Sequence, residues 1–346
     1  MTIRSRRLVM WVMGVGLAVV TTVFGVRMYL ALHPARGLGF RGGERKIVYI
    51  KPDSRGREIA DLLKQAGVIQ DRFLFHLFTY LRGSSDRLKA GEYQFIASMG
   101  LLDIIRMLEE GRVLVHRLTI PEGSSLWQIA RALDEEGLVD PDRFLELARN
   151  PAVASYYVPE ADSLEGFLFP DTYHFIKGTK EEAIVETMVQ RFFRAFTGDH
   201  ERQARQRGMS LYEIVTLASI IEKEALLDRE KPIIAGVFYN RLERGMRLQA
   251  DPTVLYGRHH TGRIRYRDLR EKHPYNTYVH HGLPPGPIAS PGMTALEAAL
   301  NPAKVNYLYF VSRNDGTHHF SRTLGEHNEA VRKYQVNQGA RKASSI

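Results

Sequence analysis

The chain has 346 residues, 44 % of them apolar, and a formal charge of +9. That length accommodates a membrane segment and two or three small domains, each with a core of its own. There is no cysteine, which excludes a disulfide framework, a cysteine nucleophile and thiolate metal sites, and decides little about compartment.

The charge is concentrated at the start. Up to Lys46 there are eight basic residues and one acid, Glu44, so +7 of the +9 lies there and the rest of the chain carries +2. This is a membrane-topology pattern, and nucleic-acid binding is a poor explanation of it. Leu8 to Val26 is an uncharged run of 19 residues. At 1.5 Å per residue it reaches about 28 Å, close to the thickness of a bilayer core. It is too long for the apolar region of a signal peptide, and no small-residue cleavage site follows it, so an uncleaved anchor is the expectation. Arg4, Arg6 and Arg7 precede it, which keeps the N-terminus cytoplasmic and the remainder outside the membrane. Pro34 to Gly43 is glycine-rich and polar and reads as a linker.

An internal repeat follows. IKPDSRGREIADLLKQAGVIQDRFLF from Ile50 resembles TIPEGSSLWQIARALDEEGLVDPDRFLE from Thr119. Each copy reads as a strand, a proline turn, a helix, a glycine stop and a second helix. Two copies are too few for a solenoid, and a pair of small α/β modules fits better. They serve either as a spacer or as a polysaccharide-binding device. Between them, Leu88–Phe95 reads as a strand and Gly100–Gly111 as a helix closed by glycine. Leu164–Phe175 (LEGFLFPDTYHF) is aromatic-rich, and its rings are expected in a core. A helix is expected from about Lys180 to Arg207.

Ser210 to Gly257 is the stretch with chemical content. Ser210 and Glu213 form a capping-box pattern, so a helix should start at Leu211. On a helical wheel Ile214, Leu217, Ala218, Ile221 and Ala225 share a face, with Glu222 at its edge beside Val215 and Ala218 and Lys223 on the opposite side. Glu224 is two residues from Glu222, and residues so spaced do not face each other. Only one of the two can look into a given cleft. A carboxyl half-buried against aliphatic side chains is pushed toward the range useful to a general acid. Alternatively, Glu222 simply bounds the helix and pairs with a nearby arginine. A second helix should begin near Pro232 and stop at Gly245, and Asp251-Pro252 marks a turn in a polar loop.

Pro274 to Pro291 is dense in proline and glycine, and a long irregular loop of this kind is usually functional. A short helix at Thr294–Leu300, a buried strand at Tyr307–Ser312, a second strand at HHFSRT and a closing helix at Leu324–Tyr334 complete the reading. The histidine pairs His259-His260, His280-His281 and His318-His319 lack metal-site spacing, and no serine-hydrolase or nucleotide-binding motif occurs. Neither a metal nor a cofactor is expected. A glutamate beside an aliphatic face, polar loops and a position outside the membrane suit glycosidic-bond cleavage, with a carboxylic acid protonating the leaving oxygen. Gln249, Asp251, Asn276 and Tyr278 are candidates for holding sugar groups, or else for tying their own loops together. Asp251 could also be the second carboxylate of a hydrolase.

LEGFLFPDTY, LASIIEKEA, GVFYNRLERGMRLQADPTVLYG, YNTY, GLPPGPIASPG, YLYFV and the HxFSxTxxEHN pattern at His318–Asn328 occur in one order, and through them the sequence closely resembles the YceG-like family of endolytic murein transglycosylases. The resemblance implies a single-pass inner-membrane enzyme with a periplasmic catalytic domain. Its substrate would be peptidoglycan glycan strands, cut at the β-1,4 bond between N-acetylmuramic acid and N-acetylglucosamine with formation of 1,6-anhydro ends. Glu222, the first glutamate of EKE, would be the catalytic acid and then base, and peptidoglycan synthases would be its partners. A scaffold that binds glycan without cutting it is the alternative from another class. The fold class expected is α+β. The expected divisions are a cytoplasmic N-terminus (1–7), a transmembrane anchor (8–32), a linker (33–46), an N-terminal α/β module (47–115), a LysM-like module (116–160) and a mixed α+β catalytic domain (161–340).

Overall fold

The computed structural model describes residues 3–32, 44–96, 98–257 and 264–336. The expected linker and the His259-His260 pair fall, wholly or mostly, outside the described residues. The architecture is mixed α+β, with three two-stranded sheets among the helices. The chain divides into two compact units, 1–116 with 174–178, and 117–173 with 179–346.

The first unit opens with helix α1 (Ile3–Leu32). Its stretch Met10–Tyr29 is long and apolar enough to cross a membrane, and none of it is buried in protein. Beyond the linker, β1 (Arg45–Ile50) leads into α2 (Gly56–Gln65) and α3 (Arg72–Leu81). β2 (Gly91–Ile96) pairs antiparallel with β1, Val48 opposite Tyr93, and α4 (Leu101–Glu110) closes the layer. Ile50, Ile59, Leu63, Phe75, Phe95 and Ile105 form its core.

The second unit repeats this plan. β3 (Val115–Thr119) is followed by α5 (Leu126–Glu135) and α6 (Pro141–Ala148). Gly67 and Gly137, each at φ +65°, end the first helix of each copy in the left-handed region that favours glycine. Asp71 caps α3 through the N–H groups of Phe73 and Leu74, and Asp140 caps α6 through those of Asp142 and Arg143. Asp71 therefore corresponds to Asp140 and not to Asp142 of the DRF match, two residues on, because the residue that accepts the orphan N–H groups defines the helix start. After α7 (Pro151–Tyr157), β4 (Thr172–Ile176), whose last three residues are counted with the first unit, pairs with β3.

Residues 164–169 bury Leu164, Phe167, Leu168 and Phe169, so the aromatic segment is core, as its sequence suggests. Phe167 packs edge-on to Phe192 at 5.1 Å and stacks on Tyr212 at 6.1 Å. The helix expected over 180–207 is two helices, α8 (Glu181–Ala195) and α9 (Gly198–Gln206). Thr197 breaks the run by taking an extended conformation, and its backbone N–H donates to His200 Nδ1 at 2.9 Å.

The centre of this unit is α10 (Leu211–Glu224). Ser210 and Glu213 form the reciprocal capping box. All residues from Ile214 to Ile221 are buried, so between its first and last turns the helix is enclosed on every side. It packs on α11 (Lys231–Glu243), α12 (Asp251–Leu255) and α13 (Met293–Leu300). Asp251-Pro252 opens α12 instead of a turn, since proline suits a first helical turn. β5 (Tyr309–Ser312) and β6 (His318–Ser321) form a hairpin backed by α14 (Leu324–Val331). β5 is half-buried rather than buried, and α14 gives way to a wider helical turn over Arg332–Val336.

Candidate active site

The two glutamates at the end of α10 have different surroundings. Glu224 is the last helical residue. Burial pushes its carboxyl up to about 8, and the neighbouring Asp251 carboxylate adds to the rise; the Asp251 backbone N–H and the more distant Arg241 guanidinium oppose it. At neutral pH Glu224 therefore carries its proton. Asp251 is exposed at the start of α12, and Tyr278 donates its hydroxyl to Asp251 Oδ1 at 2.6 Å. The group thus sets a desolvated, protonated carboxyl beside a second, solvent-exposed one.

The loops that carry this group are locked together. Thr277 Oγ1 accepts from the Ala250 N–H at 2.9 Å and lies 2.8 Å from Thr253 Oγ1. The Gln249 N–H donates to the Thr277 carbonyl at 3.1 Å. Gln249 is exposed and sits at φ +50°, a conformation that costs a non-glycine residue energy and is found most often at functional sites. Asn276 is fully buried. Its amide donates to the carbonyls of Asp268, Leu269 and Glu271, and its oxygen accepts from the Tyr278 N–H. Of its two readings from sequence, loop-tying is the one its contacts support.

Glu222 faces elsewhere. Its side chain is 8 % exposed and accepts from Lys231 Nζ and from the Gly292 N–H, each at 3.0 Å. Lys231 is itself buried, and its ammonium also meets Asp228 at 2.9 Å, Thr294 Oγ1 at 2.7 Å and Glu122 at 3.8 Å. Burial works against the lysine's charge, but the hydrogen bonds to Asp228 and Glu222 outweigh it and hold the ammonium above its ordinary range. Glu122 belongs to the proline turn of the second repeat. The same turn is stitched to the helix end by Lys223 Nζ on the Gly123 carbonyl at 3.1 Å. The Ser290 and Gly123–Ser124 backbones add two bonds of 2.8 Å.

A further buried carboxyl, Glu165, accepts from the Leu126 N–H at the start of α5 at 3.0 Å and from the Tyr256 hydroxyl at 3.0 Å. Burial pushes it up to about 7 against those two donors. Asp251 and Tyr278 are thus brought together with Glu224, while Glu222 and Asn276 point into other networks and Gln249 shapes the loop. Glu165 escaped the sequence reading, and Glu224 was set aside there in favour of Glu222. For Glu224 the signal was present, since it ends the same EKE segment. Among the described residues no group of histidines and carboxylates is arranged to hold a metal. His281 Nδ1 lies 2.9 Å from the Gly245 carbonyl and His318 Nδ1 2.7 Å from Glu230.

Comparison with known proteins places these elements in a wider setting. A protein of Bacillus subtilis named endolytic murein transglycosylase is 37 % identical over 293 residues, covering 80 % of this chain and 81 % of its own. One of the same name from Streptococcus pneumoniae D39 is 31 % identical over 320 residues; the match covers 83 % of this chain but only 58 % of the pneumococcal protein. The crystal structure of a YceG-like protein from Listeria monocytogenes superposes with a TM-score of 0.58 at 36 % identity, covering 83 % of this chain and 98 % of that one. The YceG-like family pattern matches residues 48–333, a span that takes in both repeats and every residue of the site, and the chain belongs to that family.

Proposed function

We propose that this protein is an endolytic peptidoglycan transglycosylase, the activity for which its Bacillus and pneumococcal relatives are named, with Glu224 as its acid and then its base. The observation that carries the assignment is the Glu224 carboxyl, desolvated and kept protonated beside the charged Asp251. A proton donor at neutral pH is what cleavage of a glycosidic bond needs. Glu222, the residue favoured from sequence, accepts from a buried ammonium and a backbone N–H, whereas Glu224 lies beside Asp251.

The reaction runs on one carboxyl. Glu224 delivers its proton to the oxygen leaving C1 of the muramyl residue, and the C1–O bond breaks. The glutamate, now a carboxylate, removes the proton of the muramyl 6-hydroxyl as that oxygen bonds to C1. The result is a 1,6-anhydro ring and a free 4-hydroxyl, with no water consumed and Glu224 protonated again. Asp251, held by Tyr278, supplies negative charge near the positive charge that develops at C1. The LysM-like reading of the second repeat gives it a glycan-holding role. Arg4, Arg6 and Arg7 ahead of the apolar helix support a cytoplasmic N-terminus and a site outside the membrane, where the strands and the synthases that extend them are found.

The test is incubation of the full chain in detergent with uncrosslinked glycan strands, followed by mass analysis of the muramyl ends. Wild type should yield ends lighter by one water than reducing ends. Glu224→Gln should lose about 10²–10⁴-fold in rate. Reducing ends from wild type would instead make the protein a muramidase, with Asp251 activating water. A fully active Glu224→Gln protein would overturn the assignment of the acid.

A further inference from the structure

The proline turn of the second repeat and the last turn of α10 meet at one buried ammonium. Lys231 Nζ holds Glu222 from α10, Asp228 from the loop after it, Thr294 from α13 and, at longer range, Glu122 from the turn. Three carboxylates around one lysine leave a surplus of negative charge. The burial of Glu122, together with the nearby Glu222 charge, raises its carboxyl above the ordinary range. An ion cluster of this kind is expensive to desolvate, and replacing such clusters by apolar residues is often neutral or stabilising. A stabilising role alone is therefore a weak account of it. Its position suggests another: Glu222 is two residues before Glu224, on the turn whose direction sets where the Glu224 carboxyl lies.

Resting on the assignment of Glu224 as the acid, we propose that Glu222, Lys231 and Glu122 form a positioning clamp that fixes the end of α10 against the second repeat, making that repeat a working part of the active site. In the EKE segment the first glutamate then orients the second. Lys223 fastens the same turn through the Gly123 carbonyl. Gly292 fits the arrangement. Its N–H donates to Glu222, and a Cβ there would run into the Glu122 carboxylate.

The charged and titratable groups about Glu224 are Asp251, Arg241 and Tyr278. Lys231 is not among its direct influences, so a change in the pH profile on altering the clamp reports a movement of Glu224. The experiment uses the full chain in detergent and measures kcat, KM and the alkaline limb of the rate profile on uncrosslinked strands. Lys231→Met and Glu222→Gln should lower kcat roughly tenfold or more through misplacement of the acid, with KM within about twofold and the limb displaced. Glu122→Gln and Gly292→Ala, at a half-exposed carboxylate and a glycine of ordinary φ, should fold and cut kcat by roughly threefold with the same displacement. Wild-type kcat and limb in these two would overturn the clamp, whether or not the buried-site variants fold. Full activity of Glu224→Gln would instead show that the underlying assignment of the acid had failed.

Discussion

At the scale of single residues, the chemistry depends on how two carboxyls share one small region. The Asp251 charge, fixed by the Tyr278 hydroxyl, makes it harder for Glu224 to ionise. Glu224 is protonated below about 8 and loses its proton as pH rises through that value, so kcat/KM should fall on the alkaline side with a midpoint near it. Asp251→Asn removes the charge but leaves the burial. The midpoint should move to lower pH, and the rate should drop about tenfold or more from loss of charge stabilisation. A pH–rate series on the variant checks this, and an unmoved midpoint would remove Asp251 from the electrostatics of Glu224. Sequence spacing shows that Glu222 and Glu224 diverge. It does not show which of them meets a cation, because Lys231 lies nine positions on and its direction is set by the packing of α11.

At the scale of elements, local chemistry is well read from sequence and long-range closure is not. The start of α10 is written into Ser210 and Glu213, and Ser210→Ala should cost about 1 kcal/mol, seen as a lowered Tm. The break between α8 and α9 was missed because Lys180 to Arg207 keeps a helical rhythm across it; only the cap at Thr197 marks it. Glu165 was invisible as a chemical group because its partner N–H, on Leu126, is 39 positions upstream. It carries its own prediction. The carboxyl titrates at about 7 in the folded chain and near 4.5 unfolded. Between those values the native state holds a proton that the unfolded state has released, so stability is greatest below the unfolded value and falls as pH rises toward 7. The loss reaches on the order of 3 kcal/mol and levels off above. Denaturant unfolding from pH 4.5 to 8 should show this decline on top of the one Glu224 contributes, and Glu165→Gln should make it shallower by the Glu165 share.

At the scale of the whole molecule, the long apolar helix and the repeats were legible early. An apolar run of fixed length and a self-similar stretch are properties of the sequence itself, whereas the surroundings of Glu224 exist only once α10, α12 and the 276–278 loop have packed. The protein should remain with membranes through alkaline carbonate washes, and removal of residues 1–32 should release it. Protease added outside spheroplasts should digest the globular part. The repeats also carry a consequence for how the chain can be divided. Residues 117–160 reach the rest of their unit through Ile120 on Asp171, Gly123 and Ser124 on Ser290, and Leu126 on Glu165. A protease nick between the two halves would leave these strands of contact intact, and the pieces would stay together. A stop or start codon placed at the apparent boundary near residue 160 would deprive the C-terminal fragment of the turn that its last helical glutamates lean on. The two copies of the repeat are accordingly not interchangeable parts. A chimera in which the first copy takes the place of the second would inherit the shape of the module while losing the Glu122 contact that ties it to the ammonium of Lys231.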